Sequence, residues 1–157
     1  MNLRWQWGSL QSLKPNEQYS MHQLRQEVFV VEQSCPYLDA DGADFDAFHL
    51  LGWKDLDDEI HLATYLRVIL SQDKKEVILG RIATSSKVRG YGCGRQIMEK
   101  AIENIEAQYG KITIKMSAQV YAASFYNKFG FKVMGKEYLE DNIPHIMMIR
   151  DHTHSDD

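Results

Sequence analysis

Within 157 residues there are only two cysteines, three prolines and no apolar run of membrane-spanning length. Cys35 and Cys93 lie far apart and neither sits in a CxxC pair, so spacing supports no disulfide framework, zinc site or redox motif. No Pro-rich linker, internal repeat or low-complexity tract divides the chain. A basic excess is missing too: the formal net charge is -4 and the sequence pI about 5.8, which argues against the basic face of a general nucleic-acid binder. The opening residues Met1-Asn2-Leu3-Arg4-Trp5-Gln6-Trp7 lack the apolar core of a signal peptide, and no Asn-x-Ser/Thr site occurs. The expectation is a cytoplasmic protein with neither a membrane nor a nucleic-acid partner.

What is present suits a globular domain: 44% hydrophobic and 25% charged residues. One domain is expected over residues 1–151, followed by a polar tail, 152–157. Leu3, Trp5 and Trp7 alternate with polar residues, which predicts an opening strand. Pro15 and Asn16 offer a helix start, and Met21, Leu24 and Val28 continue a helical stripe to about Phe29. Residues 35–46 read as a loop. Residues 48–53 and 60–70 read as a hairpin around Asp55-Leu56-Asp57-Asp58-Glu59, and 77–84 as the next strand. Ile97, Met98, Ala101, Ile102 and Ile105 mark a helix that Gly110 ends. Ile112, Ile114 and Met116 alternate as a strand, 120–128 reads as a helix closing near Gly130, and 131–138 and 145–150 as two last strands. That order is neither strict βαβ alternation nor all-β. It predicts an α/β (mixed α+β) fold, a mixed sheet flanked by helices.

The strand ending near Thr84 runs into Arg89-Gly90-Tyr91-Gly92-Cys93-Gly94-Arg95, and a helix begins at about Gly94. A helix N-terminus presents unpaired N–H groups and partial positive charge. Glycines allow close backbone approach, and two arginines can pair with phosphate oxygens. The physical reading is a pyrophosphate cradle. A Walker A ending is absent. The dinucleotide pattern GxGxxG fails at Arg95 and Ile97, and the RNA-binding pattern fails at Cys93, Gly94, Arg95 and Gln96.

What remains, Arg89-x-x-Gly92-x-Gly94, resembles the coenzyme-A-binding motif of the GNAT superfamily of N-acetyltransferases. Phe125-Tyr126-Asn127-Lys128-Phe129-Gly130-Phe131 resembles the close of the last helix in that superfamily. The stretch 24–37, Asp39-Ala40-Asp41-Gly42, His49 to Trp53 and Ile143-Pro144-His145 are similar to its ElaA branch. The resemblance implies a central mixed, mostly antiparallel twisted sheet with a splayed parallel strand pair holding acetyl-CoA. It implies an N-acetyltransferase with acetyl-CoA as acyl donor, a small-molecule or peptide amine as acceptor, and a homodimer by family habit. Ile82, Ala83 and Thr84 would pair with the pantetheine arm. Arg89, Gly90, Tyr91, Gly92, Cys93, Gly94 and Arg95 would hold the pyrophosphate. Tyr126 would protonate the departing thiolate, while Phe125 and Phe129 read as core aromatics. Gln119 stands where many members carry a cofactor-contacting Asn.

Glu32, His49 and His145 are candidates for the general base, each with a structural role as the competing reading. The acidic loop around Asp39, Asp41, Asp44 and Asp46 reads either as solvated or as a lining for a cationic amine. Its glycine spacing does not fit an EF-hand. Cys93 reads as packing, although its position in the phosphate loop would favour a lowered pKa. His152 and His154 form a metal-like pair in the tail. Two further readings stay open: an acyltransferase resembling acyl-homoserine-lactone synthases, and a non-catalytic acetyl-CoA-binding domain.

Overall fold

The computed structural model describes residues 1–151. The elements run β1 (Arg4–Ser9), α1 (Pro15–Arg25), a π-helical continuation of α1 (Gln26–Glu32), β2 (Ala47–Leu56), β3 (Glu59–Leu70) and β4 (Glu76–Thr84). Then come α2 (Cys93–Tyr109), β5 (Thr113–Gln119), α3 (Ala123–Asn127), β6 (Lys132–Glu140) and β7 (Ile143–Arg150). The strands form one seven-stranded sheet in the order β1-β2-β3-β4-β5-β7-β6. Pairing is antiparallel for β1/β2, β2/β3, β5/β7 and β6/β7, and parallel for β4/β5. This is the mixed sheet that the element order predicts, with the mostly antiparallel pairing that the resemblance implies. The helix expected over 120–128 is shorter: Val120–Ala122 is a 3-10 turn and only Ala123–Asn127 is α-helical.

The described residues form two compact units, one comprising Met1–Ile69 and Arg81–Ala101, the other Leu70–Gly80 and residues 102–151. In the first, Pro15 opens α1, where its missing N–H costs nothing, and the Lys14 N–H donates to Glu17 Oε1 at 2.8 Å. The predicted stripe Met21, Leu24 and Val28 is buried against Leu51, Trp53 and Tyr65. The β2/β3 hairpin turns on Asp57 and Asp58, both at positive φ, with Leu56 opposite Glu59. That is a two-residue turn whose twist matches the strands it joins.

In the second unit Ile114, Met116 and Ala118 of β5 point inward while their neighbours do not, as period-two alternation requires. Phe131 is fully buried. α3 is capped by Lys128 in right-handed geometry and not by a left-handed glycine; Gly130, at φ +92°, comes two residues later and ends the turn that follows the helix. Gly110 at φ +77° ends α2 with its N–H on the Glu106 carbonyl at 2.9 Å. The parallel register of β4 and β5 runs from Glu76 opposite Thr113 to Leu79 opposite Met116.

Candidate functional site

The residues singled out in the sequence fall in both units. In the first, β4 delivers Ile82, Ala83 and Thr84. The Thr64 hydroxyl donates to the Ala83 carbonyl at 3.0 Å and lies 3.1 Å from the Thr84 hydroxyl, which ties β3 to the end of β4. The Ser85 side chain accepts from the Lys87 N–H and shapes a 3-10 turn, Ser86–Val88. Val88 is buried and anchors the loop, whereas Arg89, Gly90, Tyr91 and Gly92 stand exposed.

Gly90 and Gly92 have φ of +87° and +80°, and a Cβ built on either would meet nothing within 4 Å. Their requirement is therefore backbone handedness, not crowding within the protein. The Gln96 N–H donates to the Gly92 carbonyl at 3.1 Å. That bond opens α2, so the N–H groups preceding it have no helical acceptor. Arg95 pairs with Glu99 one turn on, at 3.6 Å, and is well exposed. Cys93 is 1% exposed and packs its sulfur 3.7 Å from the Met1 sulfur. Burial pushes its thiol up, so the lowering favoured by its loop position does not occur. The packing reading stands.

Arg89 is already engaged. Its Nε and Nη2 donate to the Thr84 carbonyl at 3.2 and 3.1 Å, and Nη2 also donates to the Glu32 carboxylate. Glu32 closes the π-helical segment. Such segments arise where a helix is held off its regular spacing.

In the second unit Tyr126 lies on α3, half-buried. Phe125 packs edge-on against Tyr126 at 5.2 Å and against Phe129 at 5.3 Å; both phenylalanines are half-buried, so they form an aromatic cluster at the edge of the unit and not part of its fully buried core. Burial, with Tyr121 nearby, pushes the Tyr126 phenol up to about 12. Gln119 ends β5 opposite His145 of β7. His145 is held by the Ile143 carbonyl at 2.7 Å, lies 3.5 Å from Glu140 and stacks on Tyr138. The pair His152 and His154 lies outside the described residues.

In the acidic loop Asp46 stays exposed, as the solvated reading has it, whereas Asp39, Asp41 and Asp44 are taken up by arginines. Arg25 is fully buried, and its Nε and Nη1 reach Asp39 and Asp44 at 2.8 and 2.7 Å. Arg67 holds Asp41 at 2.7 Å and Asp44 at 3.0 Å. Arg81 lies 2.8 Å from Asp39 and 3.3 Å from Asp41. Three guanidinium groups thus meet three carboxylates. Burial alone would raise the Asp44 carboxyl, but bonds from Arg25 and Arg67 outweigh it and hold it below the usual carboxylate range.

His49 belongs to the same cluster. Its Nδ1 lies 2.6 Å from the Tyr65 hydroxyl and its Nε2 3.0 Å from the Asp44 carbonyl, with no exposure to water. Burial pushes the imidazole down. With both ring nitrogens engaged inside the protein, His49 is structural, and it leaves the set of candidate bases. Sequence reasoning missed Arg67, Arg81 and Tyr65 as members of this cluster. Two arginines inside otherwise apolar strands were the available signal.

A family model described as the acetyltransferase (GNAT) domain matches residues 53–151. The chain belongs to the GNAT acetyltransferase family. Within it, the GNAT chain is 40% identical over 152 residues to Protein ElaA of Escherichia coli (strain K12), covering 95% of this chain and 97% of that one. Among solved structures it is similar to an acyl-CoA N-acyltransferase from Pseudomonas aeruginosa, with 39% identity and a TM-score of 0.87 over 95% of this chain and 99% of that one. An aminoglycoside 6'-N-acetyltransferase complexed with coenzyme A shares the GNAT fold at 15% identity, with a TM-score of 0.69 over 97% and 99% of the two chains.

Proposed function

We propose that this GNAT protein is an acetyl-CoA-dependent N-acetyltransferase that passes the acetyl group directly to a primary amine, with Arg89 to Arg95 as the pyrophosphate cradle. The observation that carries this reading is the pair Gly90 and Gly92. Both are left-handed with open space at the Cβ position, directly ahead of the unpaired N–H groups of a 17-residue helix. Ile82, Ala83 and Thr84 supply backbone groups to the pantetheine arm, and Gln119 a cofactor contact.

Tyr126 is assigned the proton delivered to the departing thiolate. A phenol pushed up to about 12 stays neutral, and hence a donor, throughout the working range of the enzyme. It is a weaker acid than a free tyrosine. Its first contribution is therefore a hydrogen bond that strengthens as charge builds on sulfur, with the proton following. A lysine-type acceptor must lose a proton before attack, which costs about 4–5 kcal/mol at pH 7. The cytoplasm is the assigned location.

Calorimetric titration with acetyl-CoA tests the reading, with dephospho-acetyl-CoA and acetyl-pantetheine as controls. Binding that survives loss of the 3'-phosphate but not of the pyrophosphate is expected. A folded protein that binds none of the three would reduce the Arg89 to Arg95 segment to a turn. With binding in hand, amines are screened for thiol release.

A further inference from the structure

We infer that Glu32 competes with the pyrophosphate for Arg89 and thereby sets the affinity of the cofactor loop. The inference rests on the coenzyme A reading above.

A guanidinium grips a phosphate best with two parallel N–H groups. Arg89 has two edges that can do this. The Nε/Nη2 edge is turned onto the Thr84 carbonyl, at 3.2 and 3.1 Å. The Nη1/Nη2 edge has its Nη2 donor on the Glu32 carboxylate. Neither edge can present two N–H groups to a phosphate while both contacts stand. The Thr84 contact is a local one, five residues back, and orients the side chain. The Glu32 contact spans 57 residues and brings in a full negative charge. Releasing it restores the Nη1/Nη2 fork and removes a like charge from beside the incoming phosphates.

The exchange is accessible. The Arg89 and Glu32 side chains are 48% and 32% exposed, so the pair opens without disturbing the core. An exposed pair of this kind is weak, and a diphosphate can displace it. In this role Glu32 is a positioning residue acting through Arg89. This role is distinct from that of a general base, for which Glu32 is one of three candidates by residue type.

The test measures coenzyme A affinity and steady-state kinetics for wild type, Glu32→Gln, Arg89→Ala and the double variant. Glu32→Gln is expected to tighten coenzyme A about two- to fivefold at low salt. The gain should shrink toward 1 M salt as screening takes over. KM for the acyl donor should fall with kcat unchanged, and in the Arg89→Ala background the gain should vanish.

Three results overturn the inference: unchanged or weaker affinity in Glu32→Gln; an equal gain with and without Arg89, which would make the effect plain repulsion; or a kcat loss on the order of 10²-fold, the mark of a general base. If wild type itself binds no coenzyme A, the cradle reading fails and this inference with it. If wild type binds and Glu32→Gln does not differ, the inference alone fails.

Discussion

Arg25 holds Asp44 at 2.7 Å, and neither side chain has meaningful access to water. The pair does not stand alone, since Asp39, Asp41, Arg67 and Arg81 complete a set of three positive and three negative charges. Tyr65 closes it from one side, with the Arg25 guanidinium 5.7 Å from its ring centroid. The protein uses this arrangement to fix the segment between its first helix and β2, where no strand or long helix does so.

Arg25→Ala leaves Asp39 and Asp44 buried with one cation fewer. Removing one partner of a buried ion pair costs about 3–5 kcal/mol. Urea denaturation followed by far-UV circular dichroism should show a loss of that size. A loss below about 1 kcal/mol would mean that Arg67 and Arg81 re-pair the loop unaided.

Stability should fall as the medium is acidified, in two stages. His49 is pushed below its ordinary value of 6.5, so the unfolded chain takes up its proton first. Folding stability therefore drops as pH falls below about 6.5, and this stage ends once the folded imidazole also protonates. Asp44 is held below its ordinary 3.8, so its contribution is complete above that value and is lost as pH falls through the lowered one. His49→Gln should flatten the first stage and leave the second in place, as read from unfolding midpoints across pH.

Gly92→Ala should cost about 1–2 kcal/mol of stability through the left-handed backbone alone, because no atom waits near the new methyl group. Gly92→Asp adds a negative charge facing the proposed pyrophosphate and should weaken coenzyme A binding well beyond the alanine variant. Equal affinities for the two, by calorimetry, would move the phosphate site elsewhere.

Tyr126→Phe keeps the edge-on ring packing with Phe125 and removes only the hydroxyl. It should lower kcat by about 10²-fold with cofactor affinity retained. Full activity in the variant would remove Tyr126 from the chemistry.

The sheet and the glycine loop were legible in the sequence because their signals are local. Alternation at Ile112, Ile114 and Met116 and the 3-4 spacing of Met21, Leu24 and Val28 report which face is buried. Gly110 marks the end of α2 by backbone geometry alone. The Arg89 to Arg95 segment is contiguous, so its composition and its place before a helix read together. The arginine network was not legible. Asp39 and Asp41 sit in a stretch with the composition of a solvated loop, and their partners Arg67 and Arg81 come 26 and 42 residues later. An acidic loop shows its destination only when the strands carrying its counterions are in place. The Glu32 contact with Arg89, across 57 residues, was hidden for the same reason.

The network has a consequence for how the molecule survives handling. The stretch from Gln33 to Gly42 contains no helix or strand and has the length a protease needs to thread a chain through its cleft. Asp39 and Asp41 fasten it to arginines on α1, β3 and β4. To be cut there, the segment must shed several of these contacts together. It should therefore resist digestion and exchange its protected amide hydrogens as slowly as the strands beside it, despite its irregular backbone.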